Sequence, residues 1–225
     1  MPDTFWALLL AHLLGDYPFQ PNWMGGIKRS WAGLALHVLT HLAALLVLAR
    51  PSLMTVWPYL LALSLVHFGI DVLKNQVWRR WPQWIIGPYL LDQALHVISL
   101  VAVGALIAQA APNASYILPR PWLILGCGLV FVTFAWFITE RVVYYRRPDY
   151  TAEVVGQKWP RMAVRTALLL AVVWIGRPAV FAPALAAVVA SPLPYLSGRH
   201  RLRALLTDLI VSGAAAAIVL LATAF

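Results

Sequence analysis

The chain has 225 residues, 62% of them hydrophobic and 11% charged, with a formal net charge of +9 and a mean hydropathy of +0.77. Soluble domains carry about 45–50% apolar and about 25% charged residues, so a globule surrounded by water is excluded. The positive charge falls in alternate loops instead of one basic patch with interleaved aromatics, which argues against nucleic acid as a partner and for a lipid bilayer.

Eight apolar segments follow one another, near 4–20, 31–49, 54–73, 84–109, 119–143, 162–176, 179–196 and 203–223. Segments of this length and apolarity predict an all-α, polytopic transmembrane helix bundle of about eight spans, within a range of six to eight. The N-terminal stretch MPDTFWALLLAHLLGD has no basic n-region and no small-residue cleavage site, so it reads as a retained helix and not as a signal peptide. Pro21, Pro51, Pro82, Pro119, Pro160 and Pro178 fall between segments, where a missing N–H does least harm. The seventh segment is short, contains Pro183 and ends in SPLPYLSG; it reads as re-entrant or bent. Cys127, the single cysteine, sits in an apolar stretch as a core filler, and no intrachain disulfide exists.

Fourteen of the seventeen lysines and arginines lie in one set of alternate loops: Lys28 and Arg29; Lys74, Arg79 and Arg80; six between Arg141 and Arg165; and Arg199, Arg201 and Arg203. Arg50, Arg120 and Arg177 make up the other set. The positive-inside rule then places both termini outside and the basic loops in the cytoplasm. Tryptophans agree, since ten of the eleven, Trp6 among them, fall at predicted span ends and only Trp136 lies well inside one.

Residues 1–109 hold five of the six histidines and are read as a four-helix membrane core. Residues 110–225 are read as apolar helices with a basic cytoplasmic loop at 144–161, expected to be solvated or to face lipid headgroups. In the core, His12 pairs with Asp16, His37 with His41, His67 with Asp71, and Asp92 with His96. Every pair is spaced i, i+4, so its two side chains share one face of one helix. The alternating span direction sorts them into layers. Asp16, His37, Asp71 and Asp92 lie roughly 5–12 Å from the cytoplasmic boundary, and His12, His41, His67 and His96 roughly 10–18 Å in.

An Asp at a helix centre costs about 2.5–3.5 kcal/mol on insertion scales, so these faces must turn inward. One buried His–Asp pair is commonly a satisfied hydrogen bond; four pairs in two layers read as a site. Imidazole nitrogens and carboxylate oxygens without cysteine suit a divalent metal such as Zn, Mn or Fe. His12, His37, His41, His67, Asp71 and His96 are the candidate ligands. Asp16 and Asp92 are the candidate catalytic residues, as general bases. Lys74 is expected to neutralise Asp71, and Gln20 and Gln93 to orient ligands or substrate. Asp208, near the basic run Arg199–Arg203, and Glu140, beside Arg141, are expected in salt bridges with those neighbours, and His200 is expected to be solvated.

The stretches HLLGDYPFQPNWM (12–24), HFGIDVLK (67–74) and LLDQALH (90–96) resemble the family catalogued as domain of unknown function 3307, whose members are bacterial membrane proteins. The resemblance covers roughly the first half of the chain. It singles out His12, Asp16, Gln20, His67, Asp71, Lys74, Asp92, Gln93 and His96, and it implies a bacterial inner-membrane location. The family's C-terminal half usually carries a segment resembling IGxLER; the nearest stretch here, VVGQKWPRMAV (154–164), lacks the Glu.

The leading functional expectation is an intramembrane metal-dependent enzyme, a hydrolase of a lipid or lipid-linked substrate at the cytoplasmic leaflet. A proton or divalent-cation transporter is the alternative. A haem-binding redox protein and a non-catalytic scaffold stand behind it.

Overall fold

The computed structural model describes residues 3–20, 26–28, 30–174 and 198–224. All regular structure among them is helical: α1 Asp3–Asp16, α2 Trp31–Leu48, α3 Leu53–Arg80, α4 Ile86–Ala110, α5 Arg120–Val130, α6 Trp136–Val143, α7 Pro148–Gly156, α8 Lys158–Val173 and α9 Arg201–Ala224. Five stretches are long and apolar enough to cross a membrane: Trp31–Leu48, Arg50–Arg80, Ile86–Ala110, Arg120–Val143 and Arg201–Ala224. They match five of the eight expected spans. The expected span at 179–196 lies outside the described residues.

Helix α8, with 16 residues, starts four residues before the expected span at 162–176. One expected span is shorter than foreseen: helix α1 has 14 residues, about 21 Å at 1.5 Å per residue, against the roughly 30 Å hydrocarbon core. Ten of those 14 residues are buried, so α1 is a core helix wrapped by its neighbours. Trp6 is buried with them.

Two compact units make up the chain, Met1–Leu123 and Ile124–Phe225. In the first, α1 packs on α2, α2 on α3, α3 on α4, and α4 returns to α1, which closes a ring of four helices. Helix α2 starts where the Ser30 hydroxyl accepts from the Gly33 amide at 3.1 Å, an N-cap. A short 3-10 turn, Arg50–Ser52, carries Pro51 and feeds α3. The segment after α4 closes one end of the ring: Ile117 N–H donates to the Leu48 carbonyl at 3.0 Å, Ser115 N–H to Ser52 Oγ at 2.8 Å, and Tyr116 Oη–H to Thr4 Oγ1 at 2.8 Å.

Polarity in this unit is inverted relative to a soluble bundle. Met54, Leu65, Ile98 and Leu39 are exposed, whereas His37, His96, Asp71 and Asp92 are buried. Large exposed apolar faces over a buried polar interior are what a hydrocarbon surround requires.

In the second unit, α5 and α6 are one rod joined by a π-helical turn, Phe131–Ala135, where the Thr133 hydroxyl donates to the Leu129 carbonyl at 2.6 Å. Leu125, Val132, Leu169, Val211 and Ala215 form its apolar core. Residues 144–161, expected as a solvated or headgroup-facing linker, are largely helical, with Arg146, Arg147 and Trp159 exposed. They contain α7, whose Tyr150 and Val154 pack under Phe137 and Met162, and they end on the buried Arg161.

Candidate functional site

All eight paired residues converge inside the four-helix ring. Within each helix the i, i+4 partners meet: His12 Nε2 lies 3.5 Å from Asp16 Oδ2, His67 Nε2 3.6 Å from Asp71 Oδ2, and His96 Nε2 3.4 Å from Asp92 Oδ1. The His37 and His41 rings are 4.6 Å apart. Between helices the contacts are as close. Asp16 Oδ1 stands 3.1 Å from both His37 Nε2 and His41 Nε2 and 4.0 Å from His67 Nε2. His37 Nε2 lies 3.3 Å from His67 Nε2 and 3.3 Å from Asp71 Oδ2.

The deeper layer is a stack of imidazoles. His67 lies 3.9 Å from His41 and 4.1 Å from His96 between ring centroids, and His12 lies 4.8 Å from His96. All five histidines are buried. His12 Nε2 and His96 Nε2 have no hydrogen-bond partner although both are enclosed. A buried ring nitrogen in that state carries the full desolvation penalty of an unmade bond, about 1–3 kcal/mol.

Three donor groups each bring one ligand atom per residue within 4.8 Å of one another: Asp16, His37, His41 and His67; His12, His67 and His96; and Asp71, Asp92 and His96. A cavity of about 10 Å³ adjoins the deep layer, roughly the room one water needs. His12, His41, His67 and His96 line it together with Ser64, Ser99 and four leucines, Leu8, Leu45, Leu63 and Leu100.

Lysines set the charge pattern of the outer layer. Lys74 Nζ sits 2.8 Å from Asp92 Oδ2 and 3.1 Å from Asp71 Oδ1. Lys28, legible in the sequence only as a loop charge, reaches Asp71 Oδ2 at 3.5 Å and donates to Gln20 Oε1 at 3.2 Å. Burial pushes its ammonium below the ordinary lysine range, and Asp71 opposes that shift. Its backbone carbonyl accepts from Asn75 Nδ2 at 2.8 Å. Asp71 and Asp92 therefore have ammonium partners, whereas Asp16 faces imidazoles.

Gln93 donates to Asp92 Oδ2 at 3.0 Å and to Asp16 Oδ2 at 3.4 Å, and its Oε1 accepts from Tyr17 Oη at 3.1 Å. Tyr17 also meets Tyr89 Oη at 3.3 Å. Sequence reasoning missed Tyr17 and Tyr89; the signal for Tyr17 was its place directly after Asp16. It also missed the need for Gly15, where a Cβ would stand 2.6 Å from His41 Nε2. A cleft of about 440 Å³ lined by Asn75, Trp78, Arg79, Pro82 and Ile85 lies next along α3, one turn past Asp71 and Lys74, within the roughly 300–1,000 Å³ of small-ligand pockets.

Residues 4–125, which contain this entire cluster, match the model of a family described as a protein of unknown function, DUF3307. The chain belongs to that family. DUF3307 thus covers α1 to α4 and the closing segment, and the cluster is a feature of the part of the chain the family defines. No curated protein and no solved structure gives a match.

The second unit buries its own charges. Arg161 grips Asp208 with both arms, Nε to Oδ2 at 2.8 Å and Nη2 to Oδ1 at 2.7 Å, and reaches Glu140 Oε1 at 2.9 Å. Arg165 Nη1 lies 3.3 Å from Asp208 Oδ1 and 3.8 Å from Glu140 Oε2. Tyr150 donates to Glu140 Oε1; burial and this acceptor push its phenol above the ordinary range. Asp208 and Glu140 are ion-paired as expected, but not with the neighbours foreseen. Their partners are Arg161 and Arg165, not Arg199–Arg203 or Arg141, because those two arginines point into the unit while Arg141 lies exposed over Phe137. His200, expected in solvent, packs edge-on against Tyr150.

Proposed function

We propose that the chain is an intramembrane metalloenzyme that hydrolyses a lipid or lipid-linked substrate at the cytoplasmic leaflet. One observation carries the reading: Asp16 Oδ1 with the Nε2 atoms of His37, His41 and His67 forms a buried set of donors spaced like the corners of a metal's coordination shell. Four donors bound tetrahedrally at about 2.0–2.1 Å lie roughly 3.3–3.4 Å apart. The spacings here are 3.1, 3.1 and 4.0 Å from Asp16 and 3.3 Å between His37 and His67. Such donors suit Zn, Mn or Fe.

A metal ion held there would lower the pKa of a bound water toward neutrality. Asp16 fits the role of ligand better than that of the free base expected from sequence, since it has no ammonium partner and three imidazoles face it. Asp92, held by Lys74, supports the outer layer. The group assigned to accept a proton is His12, whose Nε2 is buried, unpaired in hydrogen bonding and 3.5 Å from Asp16 Oδ2. Asp71 and His96 complete the surrounding donor shell, and Gln20, Gln93 and Lys74 orient it. The cleft at Asn75, Trp78 and Arg79 is the entry we assign to a headgroup.

The membrane arrangement that goes with this reading has about eight spans in a bacterial inner membrane, both termini outside and the basic loops in the cytoplasm. Removing the buried Arg161 and Arg165 from the loop count leaves the bias intact. Ion transport, the alternative, lacks a continuation among the described residues: beyond the histidines come Leu8, Leu45, Leu63 and Leu100, with Ser64 and Ser99 whose hydroxyls donate back to the Leu60 and His96 carbonyls, and then the end closed by residues 115–117.

The test is product release from bacterial lipid extract in mixed micelles. Wild type should release product with added zinc or manganese and lose activity to a chelator, and His67→Ala should be inactive with metal present. Turnover that chelation and His67→Ala both leave unchanged would overturn the proposal.

A further inference from the structure

The donors at Asp71, Asp92 and His96 form a third group, with ligand atoms within 4.8 Å of one another, that shares no residue with the set at Asp16, His37, His41 and His67. Asp71 faces both ways. Its Oδ2 looks toward His37 at 3.3 Å and His67 at 3.6 Å, while its Oδ1 looks toward Lys74 Nζ at 3.1 Å. A carboxylate whose two oxygens serve adjacent cation positions is the bridging element of two-metal sites, whose ions lie about 3.5–4 Å apart. The second position already holds a cation, the Lys74 ammonium, 2.8 Å from Asp92 Oδ2. His96 Nε2 faces the other oxygen of Asp92, buried, without a hydrogen bond and 3.4 Å from Oδ1.

We infer that the Lys74 ammonium occupies a second cation position, formed by Asp71, Asp92 and His96, and so holds the centre at a single metal ion. The inference rests on the metal reading above and adds to it a latent site and its occupant. Charge supports it. The cluster holds three carboxylates, Asp16, Asp71 and Asp92, and two ammoniums, Lys28 and Lys74, so it carries one surplus negative charge when its histidines are neutral. One divalent ion overturns that surplus, and a second would add two positive charges to a buried volume with nothing left to oppose them. Lys74 is also held from its other side, with Nζ 5.6 Å from the Trp78 ring centroid, so it is fixed in this place. An ammonium is a compact point charge with three donors, which suits it to stand between two carboxylates where a metal would otherwise bridge them.

Full-length protein in detergent, loaded with manganese and freed of excess, provides the test. Wild type and Lys74→Arg should retain about one ion per chain, whereas Lys74→Met and Lys74→Glu should retain about two, the number a bridged pair holds. Lys74→Glu should hold the second ion more tightly, because it adds a carboxylate to the three existing donors. Two ions in wild type, or one in both monodisperse substituted proteins, would overturn the inference and leave the metal reading standing. No ion in wild type would overturn both. If the variants do not stay monodisperse, electron paramagnetic resonance of manganese-loaded wild type decides. The hyperfine pattern of an isolated ion is expected, and that of an exchange-coupled pair would overturn the inference.

Discussion

In Ile124–Phe225, two guanidiniums, Arg161 and Arg165, meet two carboxylates, Glu140 and Asp208, at 2.7–3.8 Å. In Met1–Leu123, two ammoniums stand among three carboxylates and pair with two of them, and five imidazoles crowd the same volume. The first set is balanced in charge, with a bidentate arginine at its centre; it has the form of a brace between helices. The second set has a surplus carboxylate and several imidazole nitrogens aimed at one carboxylate oxygen, which is a poor way to build a brace and a good way to hold a cation. Buried charge alone does not mark a functional site in a membrane protein. What separates the two clusters is whether their own charges balance.

The comparison can be broken at either cluster. The largest effect is expected from Arg161→Met, which strands Asp208 and Glu140 without their main partner. Removing one side of a buried pair costs about 3–5 kcal/mol, so thermal unfolding in detergent should shift sharply downward while metal retention per folded chain stays unchanged. An unshifted transition would mean that the second cluster is no brace. Next comes His67→Ala, which takes away the imidazole shared by two of the donor groups. Its metal affinity, measured by dialysis against a metal buffer, should fall by more than the roughly 10–100-fold typical of outer-shell changes, with a smaller effect on unfolding than Arg161→Met.

Gly15→Ala sharpens the geometry. Its new Cβ meets the His41 ring at 2.6 Å, so His41 must move, and affinity should drop roughly 10–100-fold as for other changes that misorient a ligand. An unchanged affinity would remove His41 from the ligand set. Tyr17→Phe is the mildest. It deletes the hydroxyl that donates to Gln93, and a loss of about 1 kcal/mol in unfolding stability or the equivalent in affinity is expected.

Much of the cluster is legible in the amino-acid sequence because a helix fixes which residues share a face. His12 with Asp16, and His67 with Asp71, must meet wherever their helices go, and alternating span direction sorts them by depth. Lys28 is illegible there for the opposite reason: it lies between α1 and α2, and only tertiary packing brings it to Asp71. The tight approach of His41 to Gly15 is likewise a property of the α1–α2 contact.

Arg161 and Arg165 are misread from sequence because counting loop charges assumes that a charge near a span end is solvated, and their partner Asp208 is 47 and 43 residues away along the chain. The short α1 is hidden because apolar and aromatic residues run on through Tyr17, Pro18 and Phe19 after the regular helix has ended at Asp16.

The central claim is that the first unit's cluster holds a metal and the second unit's does not. Elemental analysis of the purified chain tests it most directly, run on wild type, His37→Ala and the second-unit variant Arg165→Met. Wild type and Arg165→Met should each carry close to stoichiometric zinc, manganese or iron per folded chain, and His37→Ala should carry almost none. A wild-type protein free of metal, or a His37→Ala protein that retains it in full, would contradict the account.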